Sequence, residues 1–352
     1  MDYAPVVTGN LRIAHYTDEH KTFDGIVIPT QRRVYRRNPD GTADKSVAVT
    51  TPAIDTIRLN LSRKANLMTT HQITTLTWDT YVAPALPIAS TDLPPGHNQA
   101  TWSPISTTLI SGERDAVLVD PLMTTEQAQA LADWVAASGK NLTTVYVTHG
   151  HGDHWFGLAV IRERFPNVRA VATRGVVEYM RRQASPQSLA SFWNPLFPGQ
   201  IPQGVAVADP LGGSSFELEG YELVPVEVGH TDTDNTTVLH VPAIGLVVAG
   251  DAAYNDVHLY LAESDREKRQ EWIRALDTIE SLHPEAVVAG HKRAGRADDP
   301  RIVEETRQYI RDVDRIAETA QTAREMYDEV LAVYPDRVNP GALWLSAKAL
   351  KG

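Results

Sequence analysis

The stretch Val145-Tyr146-Val147-Thr148-His149-Gly150-His151-Gly152-Asp153-His154-Trp155-Phe156-Gly157 decides how this chain folds and what it holds. A β-prone run over residues 144–147 ends in three histidines and an aspartate within six positions. The intervening glycines are expected to let the backbone turn tightly enough for all four side chains to converge. At the histidine frequency of this chain, such a cluster arises by chance on the order of one time in a thousand. Imidazole and carboxylate at this spacing point to a metal site rather than a surface cluster.

Such donors favour zinc, with iron or manganese as substitutes, and each zinc needs at least three protein ligands. Four candidates on one loop do not fill two ions, so more must come from elsewhere. Three follow β-prone runs, each after a glycine: His230 in Gly229-His230-Thr231 after residues 224–228, Asp251 after 246–249 and Gly250, and His291 after 286–289 and Gly290. Any one of these is weak evidence. The ordered set places polar ligands at one edge of a sheet, where loops converge on a cleft.

The rest of the 352 residues narrows the alternatives. There is no cysteine, so thiolate zinc sites, iron–sulfur clusters, disulfides and thiol nucleophiles are excluded. Lys and Arg number 33 against 44 Asp and Glu, a net charge of -11, which argues against duplex nucleic acid as a partner. No apolar run approaches the roughly 18 residues that span a bilayer. Met1-Asp2-Tyr3-Ala4-Pro5 lacks the basic and apolar regions of a secretory signal, so cytoplasmic residence without membrane association is the default expectation. A hydrophobic content of 42% and a charged content of 22% are ordinary for a globular protein.

Charge is uneven: residues 1–67 hold ten basic and seven acidic side chains, a balance of +3, leaving −14 on the remainder. That first segment carries short β-prone runs at 25–30, 33–35, 47–49 and 54–59, with the turn Asn38-Pro39-Asp40-Gly41 between two of them. It reads as a small antiparallel sheet, weakly similar to the last strands of curved-sheet lipoprotein-carrier folds, with a second unit starting near Met68. From 73 to 293 strands alternate with helices, the pattern of a layered α/β domain. Strands are expected at 107–110, 116–119, 144–147, 224–228, 237–240, 246–249 and 286–289. Helices are expected at 125–138, capped by Thr124 or Thr125, and at 266–282. Residues 300–333 read as one long amphipathic helix with Ile302, Val303, Ile310, Val313 and Ile316 on one side, and the tail around Ala342-Leu343-Trp344-Leu345 as another buried helix. The division is therefore 1–67, a β-rich extension; 68–298, a catalytic domain; and 299–352, a helical segment that caps the pocket or forms a homodimer interface.

The order H-x-H-x-D-H, G-H-T, G-D, G-H over residues 73–293 resembles the metallo-β-lactamase superfamily. The resemblance implies a four-layer αββα sandwich. It implies two zinc ions, one held by His149, His151 and His230, the other by Asp153, His154 and His291, with Asp251 between them. It implies that Asp120 orients the ligand loop. Two such ions activate a water and polarise a carbonyl, and Asp153 would then carry a proton to the leaving group. Histidine at 151 is unlike the glutamate of the flavodiiron branch. A bridging Asp251 is similar to glyoxalase II and the acyl-homoserine-lactone lactonases, and Asp251-Ala252-Ala253-Tyr254 looks like the lactonase D-x-x-Y, which makes Tyr254 a candidate oxyanion donor.

The expectation is thus a zinc-dependent hydrolase of an ester, lactone or related acyl bond in a small molecule. The rivals are a phosphodiesterase or nuclease of the same superfamily, an iron-dependent dioxygenase on the same fold, and a metal-stabilised binding module. Trp155 and Phe156 are candidates for core packing or for an apolar pocket wall. Lys292 and Arg293 are read as solvated charge, with anion attraction as the sharper option, and Asn255, Asp256 and His258 as loop residues near the rim. The aromatic stretch 182–204 reads as a loop or lid over the metals.

Overall fold

Ala116 and Leu118 pack into one hydrophobic core while Val117 and Val119, their neighbours on the same strand, pack into another. Successive strand side chains point to opposite faces, so a strand apolar on both sides must be covered twice. The same alternation recurs at Val287, Val288 and Ala289. Repeated over two sheets, it gives three cores and four layers.

The computed structural model describes residues 13–23, 26–37, 42–50 and 76–352, and the chain divides into two units, 1–72 and 73–352. The first unit contains β1 (Ile13–Phe23), β2 (Ile26–Arg37) and β3 (Ala43–Thr50), paired antiparallel in that order. The sequence patterns indicate β2 and β3 but not β1. The expected strand at 54–59, the turn at 38–41 and the boundary at Met68 lie outside the described residues.

In the second unit the strands are β4 (Thr77–Ala83), a small ladder of β5 (Leu86–Pro87) with β6 (Thr101–Trp102), then β7 (Ile105–Ser111), β8 (Asp115–Val119), β9 (Asn141–Tyr146), β10 (Arg169–Ala172) and β11 (Asp209–Pro210). They form a mixed sheet in the order β11-β10-β9-β8-β7-β4. The second sheet runs β12-β13-β14-β15-β16, made of Phe216–Leu218, Tyr221–Gly229, Thr236–Val241, Leu246–Asn255 and Ala286–Lys292. Between the sheets lies the core of Ile110, Val117, Val119, Leu239, Leu246 and Val288.

Outside the first sheet pack α1 (Thr125–Ala137), α2 (Leu158–Arg164) and α3 (Arg174–Gln183), through Leu131, Val135, Ile161, Val177 and Met180. Outside the second pack α4 (Arg266–Ser281), α5 (Arg301–Thr319), α6 (Ala323–Val333) and α7 (Pro340–Lys351), through Trp272, Leu276, Ile310, Val313, Met326 and Leu343. The result is an αββα sandwich, and each fully buried leucine contributes about 1.5–3 kcal/mol to it. Among the described residues no helix is long and apolar enough to cross a membrane.

Two helix boundaries depend on caps. Thr124 accepts from Gln127 N at 3.2 Å and its own N–H bonds Gln127 Oε1 at 3.2 Å, a reciprocal box that starts α1. The single helix expected over 300–333 is two: Ala320 leaves the helical region, and Thr322 accepts from Glu325 N at 3.1 Å to begin α6. Uninterrupted amphipathic spacing hides this break, although Thr322-Ala323-Arg324-Glu325 carries the cap signature.

Candidate metal centre

Asp120 follows β8 with a φ of 61° and accepts two hydrogen bonds from Thr148, at 2.9 Å from the backbone N–H and 2.7 Å from Oγ1. This pins the start of the loop that follows β9. Thr148 Oγ1 in turn lies 3.0 Å from His149 Nδ1, leaving Nε2 of that ring to face the centre. Gly150 and Gly152 do not serve as expected, since neither has a positive φ. They are glycine because a Cβ would meet Tyr179 at 2.5 Å and Phe156 at 2.3 Å. At Gly290, the approach is to the centre itself: a Cβ there would stand 2.2 Å from Asp251 Oδ1.

Two groups of donors face one another. In the first, Asp232 Oδ2 lies 2.7 Å from His151 Nδ1 and 3.8 Å from His149 Nε2. In the second, Asp153 Oδ2 lies 3.6 Å from His154 Nε2 and 3.4 Å from His291 Nε2. Asp251 joins the second group, with Oδ1 3.2 Å from His154 Nε2 and Oδ2 3.2 Å from His291 Nε2. The rings of His149 and His154 bring the groups together, at 4.3 Å between centroids. His149 Nε2, His154 Nε2, Asp232 Oδ2 and Asp251 Oδ1 are all buried, and none has a hydrogen-bond partner. An unpaired buried polar atom costs about 1–3 kcal/mol, so four in one cluster need a shared partner. Imidazole nitrogens and carboxylate oxygens converging in this way fit divalent cations.

His230 stands apart from both donor groups in this structure. Although the sequence motif places it among the ligands, its Nε2 is 2.8 Å from Ser264 Oγ and its Nδ1 is 2.6 Å from Asp234 Oδ1. Both ring nitrogens are occupied, and the side chain that reaches His149 and His151 is Asp232, two residues on. The chain leaves β13 at Gly229 with a φ of 84°, and Thr231 bonds back to Thr233 and Thr236, which turns the Asp232 carboxylate inward.

Two further residues carry no signal in the sequence. Glu263 Oε1 lies 3.1 Å from His151 Nε2, on the far side of the ring from Asp232, and its other oxygen accepts from Tyr179 Oη and Thr233 Oγ1. A carboxylate behind a ligating imidazole fixes ring orientation and tautomer. On the other side, the Trp102 indole donates to Asp153 Oδ2 at 2.9 Å. The Pro104 carbonyl lies 2.8 Å from His291 Nδ1, directing Nε2 inward.

The charges of the cluster act on each other strongly. Burial alone lowers an imidazole and raises a carboxyl, yet His291 is raised to about 10 by Asp251 and Asp153. Asp153 and Asp251 are held well below the usual carboxylate range by His154 and His291 despite their burial. Burial, then the Asp251 charge, push the Tyr254 hydroxyl well above its ordinary value, so it stays a proton donor. That hydroxyl donates to Asp251 Oδ2 at 2.9 Å.

The donors form the floor of a cavity of about 270 Å³, with His151, Asp153, Asp232, Asp251, Tyr254 and His291 among its lining. The stretch 182–204 is not a structureless loop: short helical turns at Pro186–Ser188, Leu189–Trp193 and Asn194–Leu196 follow α3. Trp193 and Phe197 are buried there, and Trp102 sits between them at ring distances of 5.6 and 5.4 Å. Phe192, Trp193 and Leu196 line the cavity. Trp155 and Phe156 are core, outside its lining. Lys292 is buried against Asp298 rather than solvated, and Arg293 pairs with Asp256 at 2.6 Å. Asn255 bonds Ala297 O and His258 bonds Tyr309 Oη, both away from the cavity.

Residues 100–291, more than half of the chain, match the family model described as the metallo-beta-lactamase superfamily. No curated protein matches the sequence. Among solved structures, a metallo-beta-lactamase family protein from Thermus thermophilus is similar at a TM-score of 0.53 and 19% identity, covering 77% of this chain and 91% of that one. A metallo-beta-lactamase from Pontibacter korlensis is similar at a TM-score of 0.49 and 15% identity, covering 68% and 95%. At such identities, likeness speaks for the fold alone.

Proposed function

The chain belongs to the metallo-beta-lactamase superfamily of metal-dependent hydrolases, and from that premise we propose that it cleaves an ester, lactone or related acyl bond of a small molecule using two divalent ions, zinc in the first place. The observation that carries this reading is the pair of adjacent donor groups with four buried, unpartnered ligand atoms, of which Asp232 Oδ2 and Asp251 Oδ1 belong to residues lining one cavity. His149, His151 and Asp232 would hold one ion, and Asp153, His154 and His291, with Asp251 beside them, the other. When bound, such ions activate water near neutral pH and draw charge from an acyl oxygen.

The protein's own groups supply the rest. Asp153, ionised and held by the Trp102 indole, lines the cavity, where it would accept the proton of the attacking water and pass it to the leaving oxygen. Tyr254 keeps its proton, given to Asp251 Oδ2 in this structure, and lines the cavity, where a turn of the hydroxyl away from Asp251 would let it donate to the oxygen on which charge develops.

The test is a screen of lactones, aryl esters, thioesters and β-lactams on zinc-loaded protein, with chelation abolishing turnover and zinc restoring it. Full activity in metal-free protein would overturn the reading. Tyr254→Phe should lower turnover by roughly ten- to a thousand-fold with metal content unchanged. Equal turnover would remove Tyr254 from the reaction.

One observation favours a second reading. His149, His151 and Asp232 make a two-histidine, one-carboxylate set, the donor type of non-haem iron oxygenases. Metal analysis separates the two: about two zincs per chain support hydrolysis, a single iron supports oxygenation.

A further inference from the structure

We propose that the cavity above the donor cluster selects an uncharged ester or lactone bearing an apolar group and turns anionic substrates away. This rests on the hydrolase reading for the bond that is cleaved, but its argument comes from the cavity walls. Three separate segments supply apolar surface: Ile88 and Trp102 beside β6, Phe192 and Leu196 from the turns after α3, and Trp344 and Leu345 from α7. Among the described residues only three large apolar side chains are exposed, and two of them, Phe192 at 43% and Leu345 at 38%, line this cavity. Exposed apolar groups concentrated at one concavity mark a place where apolar surface is received.

The charges around the cavity point the same way. No lysine or arginine is among the described residues that line it. Lys348, the cation beside the C-terminal wall, is taken up by Asp92 and lies over the Trp344 ring at 5.5 Å, while the Trp344 indole also donates to Asp92 at 2.9 Å. Glu263 is fully engaged by His151, Tyr179 and Thr233. A substrate carboxylate or phosphate away from the scissile bond would therefore lose its hydration against aromatic walls without meeting a guanidinium or ammonium. A neutral alkyl or aryl group carries no such charge to desolvate and is favoured in proportion to the apolar surface covered.

The experiment uses the full chain loaded with zinc and two matched pairs of probes. One pair is 4-nitrophenyl hexanoate and the 4-nitrophenyl monoester of adipic acid, of equal chain length but with a terminal carboxylate on the second; turnover is read by nitrophenolate release. The other is hexanoic anilide and adipic acid monoanilide, which are not turned over, with binding read by tryptophan fluorescence. The neutral member should lead by at least about tenfold in kcat/KM and in affinity. Leu345→Arg, and separately Phe192→Arg at the other exposed wall position, should shrink that lead by about tenfold or more by supplying the missing cation. Equal or better handling of the adipic probes overturns the inference and leaves the hydrolase reading standing. A neutral preference in binding without turnover of either ester supports the inference and counts against the hydrolase reading.

Discussion

Asp232 Oδ2 stands 2.7 Å from His151 Nδ1 but is not aligned with it as a hydrogen bond, so the two atoms converge on a third point rather than on each other. His230, only two residues earlier, is satisfied by Ser264 and Asp234. Exchanging one for the other is therefore not neutral. Asp232→Ala should lose about one metal equivalent per chain by elemental analysis after dialysis, while His230→Gln should retain the full complement. The reverse pattern would restore His230 to the ligand set.

Glu263 acts on the metal only through His151. Glu263→Ala should weaken metal binding by about 10- to 100-fold in a chelator competition. Glu263→Gln, which keeps an oxygen acceptor for Nε2, should recover most of that loss. If Ala and Gln behave alike, the carboxylate has no orienting role.

Trp102 joins the cavity wall to Asp153. Trp102→Phe keeps the ring among Trp193 and Phe197 but removes the indole N–H, and hydrogen bonds to charged groups contribute about 1.5–3 kcal/mol. The expected result, assayed well below the lowered melting temperature, is a fall in kcat of at least about tenfold for a small ester with little change in KM. A loss confined to thermal stability would make Trp102 a packing residue only.

His258 is buried beneath the α7 side of the domain and bonded to Tyr309 at 3.0 Å; burial and then Arg337 lower its pKa from 6.5 to about 3. Its folded value lies below its unfolded one, so between pH 6.5 and about 3 the unfolded chain binds the extra proton and stability falls as pH falls. The contribution reaches about 2 kcal/mol at pH 5. In urea titrations His258→Asn should flatten the loss of stability between pH 6.5 and 5 relative to the parent chain. Parallel curves would show that His258 titrates normally.

The uneven legibility of this chain has a physical pattern. Strands such as β8, β15 and β16 are readable because parallel strands covered on both faces carry continuous apolar runs; Gly290-His291 closes β16, whereas Gly250-Asp251 falls at an irregularity within β15, which continues to Asn255. Strand β1, IAHYTDEHKTF, is polar and carries no such signal; helix α6 reads as one with α5 because its cap is a local hydrogen bond that periodicity does not register.

Sequence alone is enough to establish that His149, His151, Asp153 and His154 share one short stretch, that Asp251 and His291 each follow an apolar run and a glycine, and that the fold is layered α/β. All of that depends on chain order and on the period of apolar residues, which are local properties. Only the tertiary structure sets Asp232, rather than His230, beside His149 and His151, because where a loop aims its side chains and what already occupies them are long-range properties. Likewise, Glu263, Trp102 and the cavity without a cation arise from contacts across 112, 51 and more positions of sequence, and no spacing rule reaches that far.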